Sequence, residues 1–311
     1  MLTKSENKVR LQKFLEEGFS EEAQSSEIEF IYTVVGEYAT NLTRNAPEPD
    51  LLCLHAEADT ALFTIYDNIR GAGYVKPIVI DSEDTDNYVQ AAYVSNRRPG
   101  TMLVKRKKTY VDAQSLCKES EVDTIIQVHI ITGSDHTSAY NGISKKTVTD
   151  RISKSAEAKQ LLASCGTSVQ LTTNTKNDMT AFVMKFVYND KISSTASEAR
   201  AAKWRCQKRK NLSRMIPDED SLLHHFKRVN YIVYLQKIFQ MKEHPSPLLY
   251  GWHLNTEGLC VPVRSTVPAL PRAMPALELS SESDNETCSD SNDDIDESCG
   301  SDSYLSDSDS D

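Results

Sequence analysis

The last thirty-nine residues contain no basic side chain. No Lys or Arg follows Arg272, while Glu278–Asp311 holds thirteen acids and eleven serines. The formal charge of −10 over 311 residues is therefore set by one end, and residues 1–277 carry 32 acids against 35 bases. Overall acidity does not exclude a nucleic-acid partner for such a body. No two of the seven cysteines lie close enough to form a Cys-x-x-Cys pair, which excludes zinc ribbons and thiol oxidoreductase motifs and leaves scattered, reduced thiols. Apolar runs stay far below the ~18–20 residues that span a bilayer, and MLTKSENKVR is no signal peptide, so a nuclear or cytoplasmic protein is expected. No Gly-Lys-Ser/Thr phosphate loop is present, which argues against an ATPase, and Gly71-x-Gly73 follows a helical pattern rather than a strand, unlike a dinucleotide loop.

What remains is 39% hydrophobic and 26% charged, ordinary material for one or two packed domains. Helical spacing at Val9, Leu11, Phe14 and Leu15 is followed by a β-rich Ile28–Val35 and a breaker, APEPD, at 46–50. A short apolar stretch at Leu51–Leu54 leads into a helical pattern, Ala58 to Ile69, stopped by the glycines at 71 and 73. Pro77–Ile80 reads as a strand with both faces apolar, as in a parallel sheet covered by helices, and a helix is expected over Asn87–Ser95. Thr101–Val104 and Thr109–Val111 read as strands flanking the basic turn Lys105-Arg106-Lys107-Lys108, and Val122–Ile131 as a buried helix. This alternation predicts an α/β sheet. From Thr147 to about Phe239 the pattern is helical, with TTNTKND at 172–178 as a break and Pro217 opening a helix; from Pro245 on, six prolines oppose regular structure. The resulting division is a helix and loop over 1–27, an α/β domain over 28–150, a helical region over 151–252, a Pro-containing linker over 253–277 and a disordered acidic tail over 278–311.

Three acidic clusters fall where α/β sheets place their sites, just past strand ends: Glu57 and Asp59 in HAEADT, Asp84 and Asp86 in DSEDTD, and Asp135 in ITGSDHTS. Clustered hard oxygens are what magnesium or manganese requires, and two such ions are a standard device for cleaving phosphodiesters. A single acid pair before a helix is more often a cap, so the metal reading rests on the set of three.

HAEADT, IVIDSEDTDNYV and HIITGSDHTS, in this order, resemble the H-E-E-A-D-T, S-x-D-T-D and L-T-G-C-D-T-T-S blocks of a large animal family related to PIN-like and flap-endonuclease-like nucleases. The likeness runs from Asn7-Lys8 to Gly251-Trp252, with looser matches at Phe182–Tyr188, Ala199–Trp204, HHFKRVNY and HPSPLLYGW. It implies a PIN-like parallel-sheet domain with Glu57, Asp59, Asp84, Asp86 and Asp135 as carboxylate ligands of Mg2+ or Mn2+, acting on DNA or RNA. Ala56, Ser134 and His136 depart from the family's residues without removing a named ligand. The family takes a further Asp from a strand upstream of the Asn7-Lys8 block, where this sequence opens, so weak or no turnover is expected. The alternative is a noncatalytic nucleic-acid or protein interaction module that keeps the fold.

Asn141-Gly-Ile-Ser-Lys-Lys146 looks like the Gly-Ile-Gly-x-Lys hairpin with which flap nucleases hold a phosphate backbone, making Gly142, Lys145 and Lys146 nucleic-acid contacts; a solvated turn is the plainer reading. Lys105, Arg106, Lys107 and Lys108, and the run Lys203–Arg214 around Trp204, are further basic candidates, although such runs are more often solvated helix faces. His224-His225 are adjacent on a helix and make a poor metal pair. In the tail, Ser281, Ser283, Ser291, Ser306 and Ser308 each have an acid three residues on, which suits an acid-directed kinase.

Overall fold

The computed structural model describes residues 5–25, 32–34, 38–52, 58–153, 155–193, 195–206, 214–241 and 244–267. They are mixed α/β and fall into two compact units, Met1–Ile126 with Tyr234–Pro245, and Gln127–Val233 with Ser246 onward. The expected tail disorder, the strand near 28–31 and Cys53–Glu57 lie outside the described residues.

In the first unit, α1 (Ser5–Ser25) precedes three antiparallel strands, β1 (Tyr32–Val34), β2 (Tyr38–Asn41) and β3 (Ala46–Leu52), ordered β1-β2-β3. The apolar periodicity of α1 does not translate into burial: Phe14 is 69% exposed and Phe19 52%. APEPD, expected as a breaker, is the first part of β3. Pro47 sits opposite Thr40 on an edge strand, where a residue lacking an N–H can be accommodated. The turn into β3 is made by Asn45 at φ +49 and by the Asn41 side chain, whose Oδ1 accepts the Arg44 N–H at 3.2 Å.

α2 (Ala58–Gly71) buries Ala61, Phe63 and Tyr66. Past its end, the Arg70 guanidinium donates to the carbonyls of Tyr74, Lys76 and Thr101 at 2.7–2.8 Å, fixing the approach to the second sheet. That sheet is mixed. β4 (Ile78–Ile80) runs parallel to β5 (Met102–Arg106), with α3 (Thr85–Ser95) as the crossover, and β6 (Thr109–Asp112) returns antiparallel through a turn in which Lys107 takes φ +53. The expectation of one parallel sheet thus holds only for β4 and β5. Nor is β4 covered on both faces: alternation puts Ile80, Met102 and Val104 in the core and leaves Val79 45% exposed. α4 (Val122–Ile131) is largely buried, as expected.

The second unit is helical: α5 (Lys145–Ile152), α6 (Ala156–Leu162), α7 (Thr173–Phe182), α8 (Ala196–Cys206) and most of α9 (Glu219–Lys237). TTNTKND is a helix start rather than a break. Thr172 caps α7 by accepting the Thr175 N–H at 3.1 Å, and Thr175, Met179 and Phe182 then share its buried face. α7 passes into a π-helical turn, Val183–Val187, which buries Val183, Met184 and Val187. Beyond Pro245 the prolines do not abolish structure: Pro247 starts a 3₁₀ turn, and β7 (Trp252–Leu254) pairs with β8 (Cys260–Pro262) around a turn organised by Asn255.

α9 is anchored by buried polar groups. The Asn230 amide donates to the Ser168 and Val169 carbonyls and accepts the Gly166 N–H at 2.8 Å. Arg228, 2% exposed, donates to the carbonyls of Gly251 and Val263. His225 meets the carbonyl of Ile131, one of the acceptors left over at the end of α4, at 3.0 Å.

Candidate metal and nucleic-acid site

The loop Asp81–Asp84 leaves the C-terminal end of β4, the edge at which parallel strands present their sites. Its geometry is closed by hydrogen bonds. Ser82 Oγ accepts the Asp84 N–H at 3.1 Å and the Asn87 amide at 2.9 Å, and the Tyr88 hydroxyl reaches the carbonyls of Ser82 and Lys105. Asp84 is the N-cap of α3: its Oδ1 accepts the Asp86 N–H at 2.9 Å. Asp84 is exposed and Asp86 half-buried in the first helical turn. The local bonding of Asp84 is therefore that of a cap.

The pairing of Ile80 with Val104 brings the end of β5 to the same edge. Lys105 Nζ lies 2.7 Å from Asp81 Oδ2, and the Asp81 carboxylate raises the Lys105 pKa through that hydrogen bond and its charge. Arg106, Lys107 and Lys108 follow at the turn into β6, the last two exposed. An acidic loop and a basic turn thus share one sheet edge. Asp81 was missed in the sequence reading. The signal was its place directly after the strand IVI.

Glu57 lies outside the described residues, as does the side chain of Asp59, whose backbone is in the first turn of α2. Asp135 belongs to the second unit and is the exposed tip of a turn. Ser134 and Thr137 exchange both backbone hydrogen bonds at 3.1–3.2 Å, and Thr137 Oγ1 donates to the Ile130 carbonyl at 2.6 Å. Gly133, at φ +122, lets the chain turn here: a Cβ would stand 2.8 Å from Ala139 Cα. Gly133→Ala is expected to cost about 3 kcal/mol from backbone strain and overpacking together, measured as a lower urea midpoint with unchanged m-value.

Gly142 takes φ +77 in the turn Tyr140–Ile143, where the Ile143 N–H bonds the Tyr140 carbonyl at 3.1 Å. Ser144 then caps α5, accepting the Thr147 N–H at 3.1 Å. Lys146 is exposed, Lys145 Nζ lies 3.5 Å from His129 Nδ1, and the Arg214 side chain passes against Gly142. This is a helix start with cations around it. In the Lys203–Arg214 run, Lys203 Nζ sits over the Tyr188 ring at 5.1 Å and Trp204 is 38% exposed, while 207–213 lie outside the described residues. His224 and His225 do not act together: His224 approaches Asp220 at 3.7 Å, and His225 faces Ile131.

Among the described residues, no three His, Cys, Asp or Glu side chains are grouped so as to hold a metal ion. Of the five carboxylates expected as ligands, Asp84 and Asp86 are adjacent with described side chains, and Asp84 commits one oxygen to the helix. Set against models of known protein families, curated proteins and solved structures, the chain matches none of them.

Proposed function

We propose that the chain is a divalent-metal-dependent, nuclease-like protein with a PIN-like fold over residues 28–150, directed at nucleic-acid phosphodiesters. The observation that carries this reading is the shared edge of β4 and β5, where Asp81, at the head of the loop that leads to Asp84 and Asp86, pairs with Lys105 of the turn Lys105–Lys108. Carboxylates there suit Mg2+ or Mn2+, with Glu57 and Asp59 completing the set, and the cations of the turn suit phosphates. A bound ion would supply a Lewis acid and an activated water. Asp84 and Asp86 would hold it, and Lys107 and Lys108 would position the nucleic-acid backbone. Asp135, in the second unit, is included by resemblance alone.

The rival reading, a noncatalytic nucleic-acid or protein interaction module, is favoured by one observation. Asp84 and Asp81 both have structural employment without an ion, as helix cap and as partner of Lys105.

Asp84→Asn separates the two readings, because Asn caps a helix about as well as Asp but lacks the carboxylate charge. Without metal it is expected to melt within a few tenths of a kcal/mol of wild type, whereas Asp84→Ala costs about 1 kcal/mol. With manganese at about a hundred times its Kd, wild type gains ~2.7 kcal/mol and Asp84→Asn gains little. Equal manganese shifts in both proteins would remove Asp84 as a ligand. Cleavage of labelled single-stranded and flap DNA in manganese, lost in the Asp84→Ala, Asp135→Ala double variant, supports the enzyme. Salt-dependent binding without cleavage supports the module.

A further inference from the structure

A cavity lies wholly within the second unit, and the sequence reading did not touch it. It is a groove of about 510 Å³ between α7, the π-helical turn with the loop that follows, and the start of α9. Met184, Leu222, Leu223 and Phe226 supply its apolar lining, and Lys176, Lys185 and Lys191 its cations. The acids that line it are already engaged. Asp190 accepts the Ile192 and Ser193 N–H groups and the Ser193 hydroxyl, and Glu219 accepts the Ser197 hydroxyl at 3.3 Å. Lys185 pairs with Glu157 outside the lining. Lys176 and Lys191 have no carboxylate partner among the described residues.

The described chain runs up to the helix that lines this groove. Ser265 and Thr266 are tied to Asp220 at the start of α9: the Thr266 N–H donates to Oδ2 at 2.5 Å, and the Ser265 and Thr266 hydroxyls bond the same carboxylate at 3.0–3.1 Å. The Thr266 bonds, first among its causes, hold the Asp220 pKa below the usual carboxylate range. Asp220 is the sequence neighbour of Glu219 and lies one helical turn from Leu223, both of which line the groove. Leu277-Glu-Leu-Ser-Ser-Glu-Ser-Asp284 begins ten residues beyond Val267, a span of up to ~35 Å when extended. It offers two leucines, three acids and no base.

We propose that the groove between α7 and α9 is the docking site of this acidic, serine-rich segment, residues 277–291 of the same chain. Leu277 and Leu279 enter the apolar lining, and Glu278, Glu282 and Asp284 face Lys176 and Lys191. Phosphorylation of Ser281 and Ser283 would add about −1.5 to −2 charges each beside these lysines and tighten the docking. The inference is independent of the metal reading, since no residue of the groove belongs to that site.

Lysine acetylation of the full chain at low salt, followed by mass spectrometry, tests it, with a full-length variant carrying Leu277→Ser, Glu278→Gln, Leu279→Ser, Glu282→Gln and Asp284→Asn. Lys176 and Lys191 are expected to react at least threefold faster in the variant, with Lys145 and Lys146 unchanged. Carbodiimide treatment of wild type should join Lys176 or Lys191 to Glu278, Glu282 or Asp284 within one chain. Equal rates at Lys176 and Lys191 in the two proteins would overturn the proposal. So would a matching rise at Lys145 and Lys146, which would signal diffuse screening. Crosslinks that grow with protein concentration would place the segment of a second copy, or another protein, in the groove and overturn it equally.

Discussion

Acidification from pH 7 to pH 4 is expected to remove roughly 3 kcal/mol of stability through one side chain, His225. Burial lowers its pKa from 6.5 to about 4; the bond to the Ile131 carbonyl raises it only in part, and the nearby Arg228 charge lowers it further. Tyr140 packs edge-on against the ring, 5.4 Å between centroids, and Phe226 flanks it, so no anion compensates a second proton. Nε2 keeps its hydrogen for Ile131, and Nδ1 is a buried acceptor with no partner. The unfolded chain takes up a proton near pH 6.5 and the folded chain only near pH 4. The contribution of neutral His225 is therefore complete above pH 6.5 and disappears as pH falls toward 4. His224 and His244 are also lowered by burial and act in the same direction, so the His225 share must be read by difference. In His225→Gln, whose amide can still donate to Ile131, urea unfolding at pH 7 and at 4.5 should show a much smaller pH dependence than wild type. An identical pH dependence would mean that the folded chain accommodates the imidazolium. Asp190 and Asp218 are lowered despite desolvation, because Ser193 and Ser221 bond their carboxylates. Their stabilisation is lost only below about pH 4, a separate window.

Elements whose signal is local were legible in the sequence. α2, α3 and the β5–β6 hairpin announce themselves through apolar spacing, the Gly71 and Gly73 stop and a basic turn, and each is present. Elements decided by position in the fold were not. APEPD reads as a breaker because proline removes a donor, and whether that matters depends on an edge position that the sequence does not state. TTNTKND reads as polar loop because its one buried side chain, Thr175, becomes apolar surface only when joined to Met179 and Phe182 on the next turns. The exposure of Val79 escaped for the same reason: a strand with two apolar faces has no way of showing which one the helices cover.

The candidate site was legible as chemistry but not as geometry. The acid-x-acid pair of Asp84 and Asp86 marks a helix start as surely as it marks a ligand set, and the first use is realised in the bond between Asp84 Oδ1 and the Asp86 N–H. What the sequence did not disclose is the juxtaposition with Lys105, which depends on the register of Ile80 with Val104. The HHFKRVNY block is a parallel case. Its polar residues look functional, yet His225, Arg228 and Asn230 spend their hydrogen bonds on the carbonyls of Ile131, Gly251, Val263, Ser168 and Val169. Their role is to fix α9 against segments far away in sequence.

The same anchoring makes Gly251→Ala the most damaging single methyl expected in the second unit. Gly251 takes φ +95, and a Cβ there would stand 2.8 Å from the carbonyl oxygen of His224 and 2.9 Å from Arg228 Cγ. Neither neighbour can yield cheaply. The His224 carbonyl belongs to the body of α9, and the Arg228 side chain is held by its bond to the Val263 carbonyl at 2.5 Å. The Gly251 carbonyl itself accepts from Arg228 and from the Val263 N–H at 2.8 Å, so displacing residue 251 also loosens the β7–β8 hairpin. Strain at a positive φ and overpacking each cost about 1–3 kcal/mol, and together they should cost roughly 3–5 kcal/mol. Trp252 reports the change directly, because it packs edge-on against Tyr231 at 5.3 Å and Trp204 is the only other tryptophan in the chain. In a Trp204→Phe background, Gly251→Ala should red-shift the fluorescence of Trp252 and lower the urea midpoint. If both stay at their Trp204→Phe values, the close crossing of residue 251 over α9 does not exist.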